Sequence, residues 1–178
     1  SSAVYTSDKD KNILTEVFYD VEGNPTADND GIFEAHYTWD GTLRTSASFF
    51  ENGEPASNLN GVHEIRYEYN GDGKITRTSY FDADGNPVMG EDGFSVQATE
   101  YLASGKAAAV RYYDDRGALI LTPGKTYAYQ RTEYSEEGDS YTVSSYDMED
   151  NLMIVSGYAA PVCELDEEGR VIRTTWLD

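Results

Sequence analysis

The chain has 178 residues, enough for one or two globular domains, and sets 33 acidic against 13 basic side chains for a net charge of −20. That charge repels phosphate backbones and anionic lipid surfaces, which argues against nucleic-acid and simple membrane binding. Aromatic residues at 13% argue against disorder, although mean hydropathy is −0.61. The single cysteine, Cys163, excludes an intrachain disulfide and a cysteine zinc cluster. No apolar run approaches the roughly 20 residues that span a bilayer.

In chain order, residues 3–20 read as a half-repeat: Val4-Tyr5, a charged turn from Asp8 to Asn12, then alternation from Ile13 to Phe18. It is expected to cap the array, since a first unit has no preceding neighbour. The first full repeat opens with Glu22-Gly23-Asn24-Pro25 and a polar loop to Gly31. A strand over 32–39, a tight turn at Asp40-Gly41 and a strand over 42–50 follow. The second runs through Gly53-Glu54-Pro55 and Gly61, with strands over 62–69 and 74–81. The third runs through Gly85-Asn86-Pro87 and Gly93, with strands over 94–102 and 106–113. The fourth and fifth drift, with Ala118-Leu119 in place of Asn-Pro and Asp150-Asn151 where glycine is due, while Gly138 and Gly169 still mark the tight turns.

A pair of residues closes each unit: Phe18-Tyr19, Phe49-Phe50, Tyr80-Phe81, Tyr112-Tyr113, Ser145-Tyr146 and Trp176-Leu177. Their second members recur every 31 to 33 residues. A fixed period of this size is the signature of stacked units, each burying its apolar side against its neighbours. Period-two alternation rich in Tyr, Thr and Ile, broken by glycine turns, makes each unit a β-hairpin. The expected architecture is all-β: a single domain over residues 1–178, with a half-repeat 1–20 and repeats 21–50, 51–81, 82–113, 114–146 and 147–178. About twelve antiparallel strands should form an elongated, twisted or superhelical meander, with a sandwich or barrel as the alternative.

Counted from the loop glycine, alternate strand positions read Ala35/Tyr37/Trp39, Ile65/Tyr67/Tyr69 and Gln97/Thr99/Tyr101, the last column continuing as Tyr134 and Leu165. The opposite face reads Glu34/His36/Thr38, Glu64/Arg66/Glu68 and Val96/Ala98/Glu100. One face is thus aromatic and the other charged near the tight turn. Trp39, Tyr69, Tyr101, Tyr134 and Trp176 are the candidate binding residues: packed inside they are core, and exposed they form a ladder able to stack on sugar rings or apolar side chains.

Other motifs resolve to plainer readings. Glu68 to Ser79 imitates the start of a calcium loop, but Ser79 stands where a bidentate carboxylate is required and the flanks are strands. Pro123-Gly124-Lys125-Thr126 lacks the upstream glycine of a phosphate loop, Leu119 standing in its place, and reads as a turn. His36 and His63 have no partner at metal-ligand spacing, and Cys163 reads as a small core filler. No Gly-x-Ser-x-Gly elbow occurs, and nothing singles out a carboxylate pair among the acids. No catalytic residue, metal site or cofactor is expected.

The segments Tyr67-Glu68-Tyr69-Asn70-Gly71-Asp72-Gly73-Lys74-Ile75 and Glu164-Leu165-Asp166-Glu167-Glu168-Gly169-Arg170-Val171 resemble the core of YD repeats of Rhs-type bacterial proteins. The turn Tyr112-Tyr113-Asp114-Asp115-Arg116-Gly117 resembles bacterial relatives of MORN hairpin repeats. The likeness covers most of the chain as a degenerate hairpin pattern with a longer period. It implies a β-repeat scaffold of a bacterial surface or secreted protein and supplies no catalytic residues. The start at Ser1-Ser2-Ala3 reads as that of a mature or trimmed secreted chain, so an extracellular or envelope location is expected. The expected function is non-enzymatic binding of a glycan or protein through a repeated β face, without membrane insertion. A purely structural spacer and a glycan-acting enzyme are the alternatives.

Overall fold

The computed structural model describes residues 2–154 and 159–177; residues 155–158 of the fifth repeat, and both terminal residues, lie outside the described set. The strands are β1 (Ser2–Ser7), β2 (Ile13–Tyr19), β3 (Glu34–Asp40), β4 (Leu43–Glu51), β5 (Glu54–Pro55), β6 (Glu64–Tyr69) and β7 (Ile75–Phe81). They continue as β8 (Val96–Tyr101), β9 (Ala107–Tyr113), β10 (Leu119–Ile120), β11 (Tyr129–Tyr134), β12 (Ser140–Tyr146), β13 (Ala160–Leu165) and β14 (Val171–Leu177). Twelve of them follow one another in the sheet in chain order, while the two-residue strands β5 and β10 fold back onto β4 and β9. The fold is therefore an all-β antiparallel meander of hairpins, and no helix occurs among the described residues.

One turn chemistry recurs throughout. At Asp82 the carboxylate Oδ1 accepts the backbone N–H groups of Asp84 at 3.0 Å and Asn86 at 2.8 Å. The Asp82 N–H donates to the Asn86 carbonyl at 2.9 Å, and Gly85, at φ 81°, donates back to the Asp82 carbonyl. A short acidic or amide side chain is needed because only it reaches its own backbone two and four residues on. Asp8, Asp20, Asp28, Asn58, Asn70, Asp147 and Asp166 make the same pair of bonds. Much of the acidic excess at the turns thus has a conformational cause. The first connection between hairpins, read from sequence as a polar loop, contains two such turns in series, at Asp20 and Asp28. The tight turn at Asp40-Gly41 is different: Asp40 pairs with Leu43 across a two-residue loop that places Gly41 at φ 59°.

The chain packs as two compact units, Ser1–Val96 with Asp114–Gly117, and Gln97–Tyr113 with Ala118–Asp178. In the first, Ala35 pairs with Phe49, Tyr37 with Ala47, Ala47 with Ile65 and Ile65 with Tyr80, which puts all of them on one sheet face. Ile32, Val62 and Val88 reach the same cluster from the connecting loops, so the loops cover this face and close its core. This explains why β3, β6 and β8 each begin two residues later than the alternation suggests: Ile32, Val62 and Phe94 are spent on packing under the loop. Full burial of a side chain such as Phe49 contributes roughly 1.5 to 3 kcal/mol. In the second unit Ala109, Ala128 and Tyr129 form the core, with Tyr129 and Tyr146 stacked at 4.7 Å and 6° between planes.

Successive hairpins are not in step. His36 pairs with Ser48, whereas its counterpart Arg66 is matched across the junction to Ser46, two residues earlier along β4. Equivalent residues in the first unit consequently follow a diagonal, displaced by roughly 6.6 Å along the strand from one hairpin to the next.

Candidate functional site

The aromatic column begins at the tight-turn end of the first unit. Trp39 and Tyr69 are half-buried on the core-bearing face, each opposite the residue where the hairpin register shifts: Trp39 pairs with Arg44 and Tyr69 with Ile75. The diagonal brings each tip onto the preceding hairpin. Trp39 Nε1–H donates to the Ile13 carbonyl and Tyr69 O–H to the Arg44 carbonyl, both at 2.7 Å. Arg44 lies between the rings of Tyr37 and Tyr67, its guanidinium carbon 5.3 Å and 5.1 Å from their centroids, and donates to the Tyr67 hydroxyl at 3.2 Å. Burial pushes the Tyr37 phenol up to about 12, helped by its hydrogen bond to Glu16 at 3.0 Å. Burial raises Tyr69 as well. These rings act as clamps between hairpins.

Tyr101 is half-buried at the end of β8. Tyr134 has a different setting. Its hydroxyl receives a hydrogen bond from Lys106 Nζ at 3.4 Å, and its ring lies 5.4 Å from Tyr141, tilted by 41°. It lines an open groove of about 530 Å³ between the turns 102–106 and 135–139, together with Ser104, Lys106, Ser135 and Glu136. Trp176 is 52% exposed and does not share Tyr134's row, which runs Tyr134, Tyr141, Cys163, Thr174. It pairs instead with Pro161, two residues further along β14. The five rings therefore do not form one straight ladder: Trp39 and Tyr69 are clamped, Tyr101 is half-buried at a strand end, Tyr134 lines a groove and Trp176 is exposed.

The groove walls were not legible as a site from sequence. Leu102 and Ser135 open turns where most repeats have Asp or Asn. Those two departures, read against the regular turns, are the signal that marks this place.

The opposite face pairs its charges internally. His36 stacks on Phe50 at 4.3 Å and meets Glu34 at 2.5 Å. Arg66 bonds Glu64 at 2.7 Å and lies 4.0 Å over the Phe81 ring. In the second unit the charges pair on the core-bearing face itself, where Arg131 is the strand partner of Ala109: Glu100 bridges Arg111 at 2.6 Å and Arg131 at 2.9 Å, while Arg111 covers the Tyr129 ring at 4.0 Å. Sequence reasoning missed this bridge because its members come from three different strands.

His63 Nδ1 lies 2.7 Å from the Ala56 carbonyl, the two imidazoles taking structural positions. Cys163 is buried beside Thr174 at 3.8 Å, and its hydrogen bond with Tyr141, together with burial, raises that phenol. Asn70 spends its side-chain oxygen on the N–H groups of Asp72 and Lys74, and Gly124 sits at φ 73° in the turn that returns Lys125 N–H to the Thr122 carbonyl. Among the described residues no group of three His, Cys, Asp or Glu side chains could hold a metal ion. No family model matches the chain, and no curated protein matches it in sequence.

Proposed function

We propose that the chain is a non-enzymatic binding module of a bacterial surface or secreted protein, and that it engages a glycan at the groove beside Tyr134. The observation that carries this reading is the combination of a half-buried tyrosine ring with Ser104, Lys106, Ser135 and Glu136 around one open groove. A sugar ring has an apolar C–H face suited to an aromatic side chain and a hydroxyl rim suited to hydroxyl, ammonium and carboxylate groups. Titration with solubilised cell-wall polysaccharide and a panel of neutral oligosaccharides tests it. Saturable binding by the parent protein that Tyr134→Ala abolishes and Tyr69→Phe leaves intact is the expected result. A parent protein that binds no member of the panel overturns the glycan reading.

A second reading, a structural array holding neighbouring domains apart, draws on the clamps at Trp39 and Tyr69, whose tips are committed to backbone carbonyls. On that reading Tyr134→Ala changes stability alone.

A further inference from the structure

The connecting loops present the same backbone position to each hairpin. Phe18 N–H donates to the Phe33 carbonyl, Phe49 N–H to the His63 carbonyl and Tyr80 N–H to the Ser95 carbonyl, at 3.0, 2.8 and 2.9 Å. Phe33, His63 and Ser95 are thus structural equivalents, and the series loses its ring at Ser95. In the repeat before, the His63 ring meets Phe50 edge-on at 5.5 Å and places Nδ1 2.7 Å from the Ala56 carbonyl. The counterpart of Phe50 is Phe81, and the counterpart of Ala56 is Val88, whose N–H likewise returns to the first member of the aromatic pair. Where that ring is missing there is a cavity of about 240 Å³, bordered by Arg66, Arg77, Ser79, Phe81, Pro87 and Ser95. Roughly 150 Å³ is enough to admit a benzene ring.

One further observation points to a ligand, and a second restricts its charge. Ser95 is 0% exposed and its Oγ has no hydrogen-bond partner, an arrangement that costs about 1 to 3 kcal/mol unless a partner is supplied. The cationic groups at the cavity are already matched, Arg66 with Glu64 at 2.7 Å and Arg77 with Glu68 at 3.8 Å, so no surplus positive charge invites an anion. Within a chain of net charge −20, a neutral or cationic ring is the compatible guest.

We propose that this cavity is a binding site for a single imidazole ring, which takes the place of the side chain present at His63, lies against Phe81 and gives the Ser95 hydroxyl its missing partner. The ring can arrive as a small molecule or as the histidine side chain of a peptide. The site lies in the first compact unit, shares no lining residue with the Tyr134 groove, and does not depend on glycan binding.

The test titrates 4-methylimidazole and, separately, N-acetylhistidine methylamide into the ¹⁵N-labelled protein, following the amide signals of Phe81, Ser95 and Val96. Saturable shifts confined to these residues are expected. Shifts with both probes identify a site that accepts a histidine side chain, and shifts with 4-methylimidazole alone identify a small-molecule site. Ser95→Ala keeps the cavity but removes the hydroxyl, and it should weaken binding about tenfold. Ser95→His restores the ring of the preceding repeat and should abolish binding. The parent titration decides the matter if Ser95→His does not fold. Absence of saturable shifts with either probe, or stronger binding of p-cresol than of 4-methylimidazole, overturns the proposal.

Discussion

The indole of Trp39 donates its N–H to the carbonyl oxygen of Ile13 at 2.7 Å, and one repeat later Tyr69 delivers its hydroxyl to the carbonyl of Arg44 at the same distance. Ile13 and Arg44 are equivalent, each facing the residue at which its hairpin slips register. A bulge interrupts the ladder and leaves main-chain groups short of strand partners. The side chain from the next hairpin supplies one, so the defect in one repeat becomes the attachment point of the following one.

Trp39→Phe and Tyr69→Phe keep an aromatic ring and remove the donor. Each is expected to cost about 1 kcal/mol, the net worth of one hydrogen bond between partly buried groups. The urea midpoint should fall with its slope unchanged, and because Trp39 faces Arg44, whose carbonyl Tyr69 bonds, the double variant should depart from the simple sum. A Tyr69→Phe protein as stable as the parent would remove the clamp from the account of how the hairpins adhere.

Two glycines of the third connecting loop are required for different reasons. Gly85 sits at φ 81° with open space around a built Cβ, so Gly85→Ala costs about 1 kcal/mol through backbone strain. Gly90 has no such dihedral, yet a Cβ there would lie 2.7 Å from Cε2 of Tyr80, whose ring is held against Phe94 at 5.6 Å. Gly90→Ala therefore costs about 1 to 3 kcal/mol through overpacking. Adding Tyr80→Leu should relieve the Gly90→Ala defect and leave that of Gly85→Ala untouched, a contrast readable by denaturation of the four combinations.

The hairpin units were legible because their cues are local. Alternation over Glu64–Tyr69, the glycine at 73 and the pair Tyr80-Phe81 lie within one repeat and each specifies its own conformation. The two-residue stagger between hairpins was not legible, since it depends on which carbonyl Trp39 reaches and on how Ile32 and Val62 seat under the loops. That is why the candidate rings looked like one column in sequence and separate into clamps at Trp39 and Tyr69, a groove wall at Tyr134 and an exposed ring at Trp176. Ser95 was invisible for a related reason: its meaning comes from comparison with Phe33 and His63, which only the shared backbone bond brings into register.

At alkaline pH the expected weak point is Tyr37. Its phenol ionises at about 12 in the folded chain, through burial first and then the bond to Glu16, against an ordinary value of 10.0. The unfolded chain gives up this proton first as pH rises. The contribution of Tyr37 is therefore complete below pH 10 and is lost as pH climbs through 12. The stability difference between parent and Tyr37→Phe should shrink over that interval, as measured by urea unfolding at a series of pH values.

At acid pH the turns should fail first. The backbone N–H of the residue four positions on, followed by other bonds, holds the carboxyls of Asp20, Asp82 and Asp166 below the usual 3.8. A lowered folded value means stability that is present above the unfolded value and disappears as pH falls through the folded one, so acid unfolding should set in below pH 3.8. Asp82→Asn keeps the acceptor oxygen without the titration, as Asn58 and Asn70 already do. It should be less sensitive to acid than the parent, whereas Asp82→Ala should lower the melting temperature at every pH.

Lys11 and Asp150 stand at φ 69° and 64°, in turn positions that glycine fills in most other repeats. A side chain in the left-handed region costs roughly 1 kcal/mol relative to glycine, which adopts it freely. Lys11→Gly should accordingly stabilise the leading hairpin by a sizeable part of that amount, the remainder being offset by the extra freedom glycine gives the unfolded chain. Asp150→Gly removes the same strain but also the acceptor for the Tyr129 hydroxyl, which bonds Asp150 Oδ1 at 2.9 Å. That bond is worth about 1 kcal/mol, so the second substitution should be close to neutral. Thermal melts of the two variants side by side give the answer: a gain at Lys11 without one at Asp150 is the expected result, and equal gains at both positions would show that the Tyr129 bond contributes nothing to the core of the second unit.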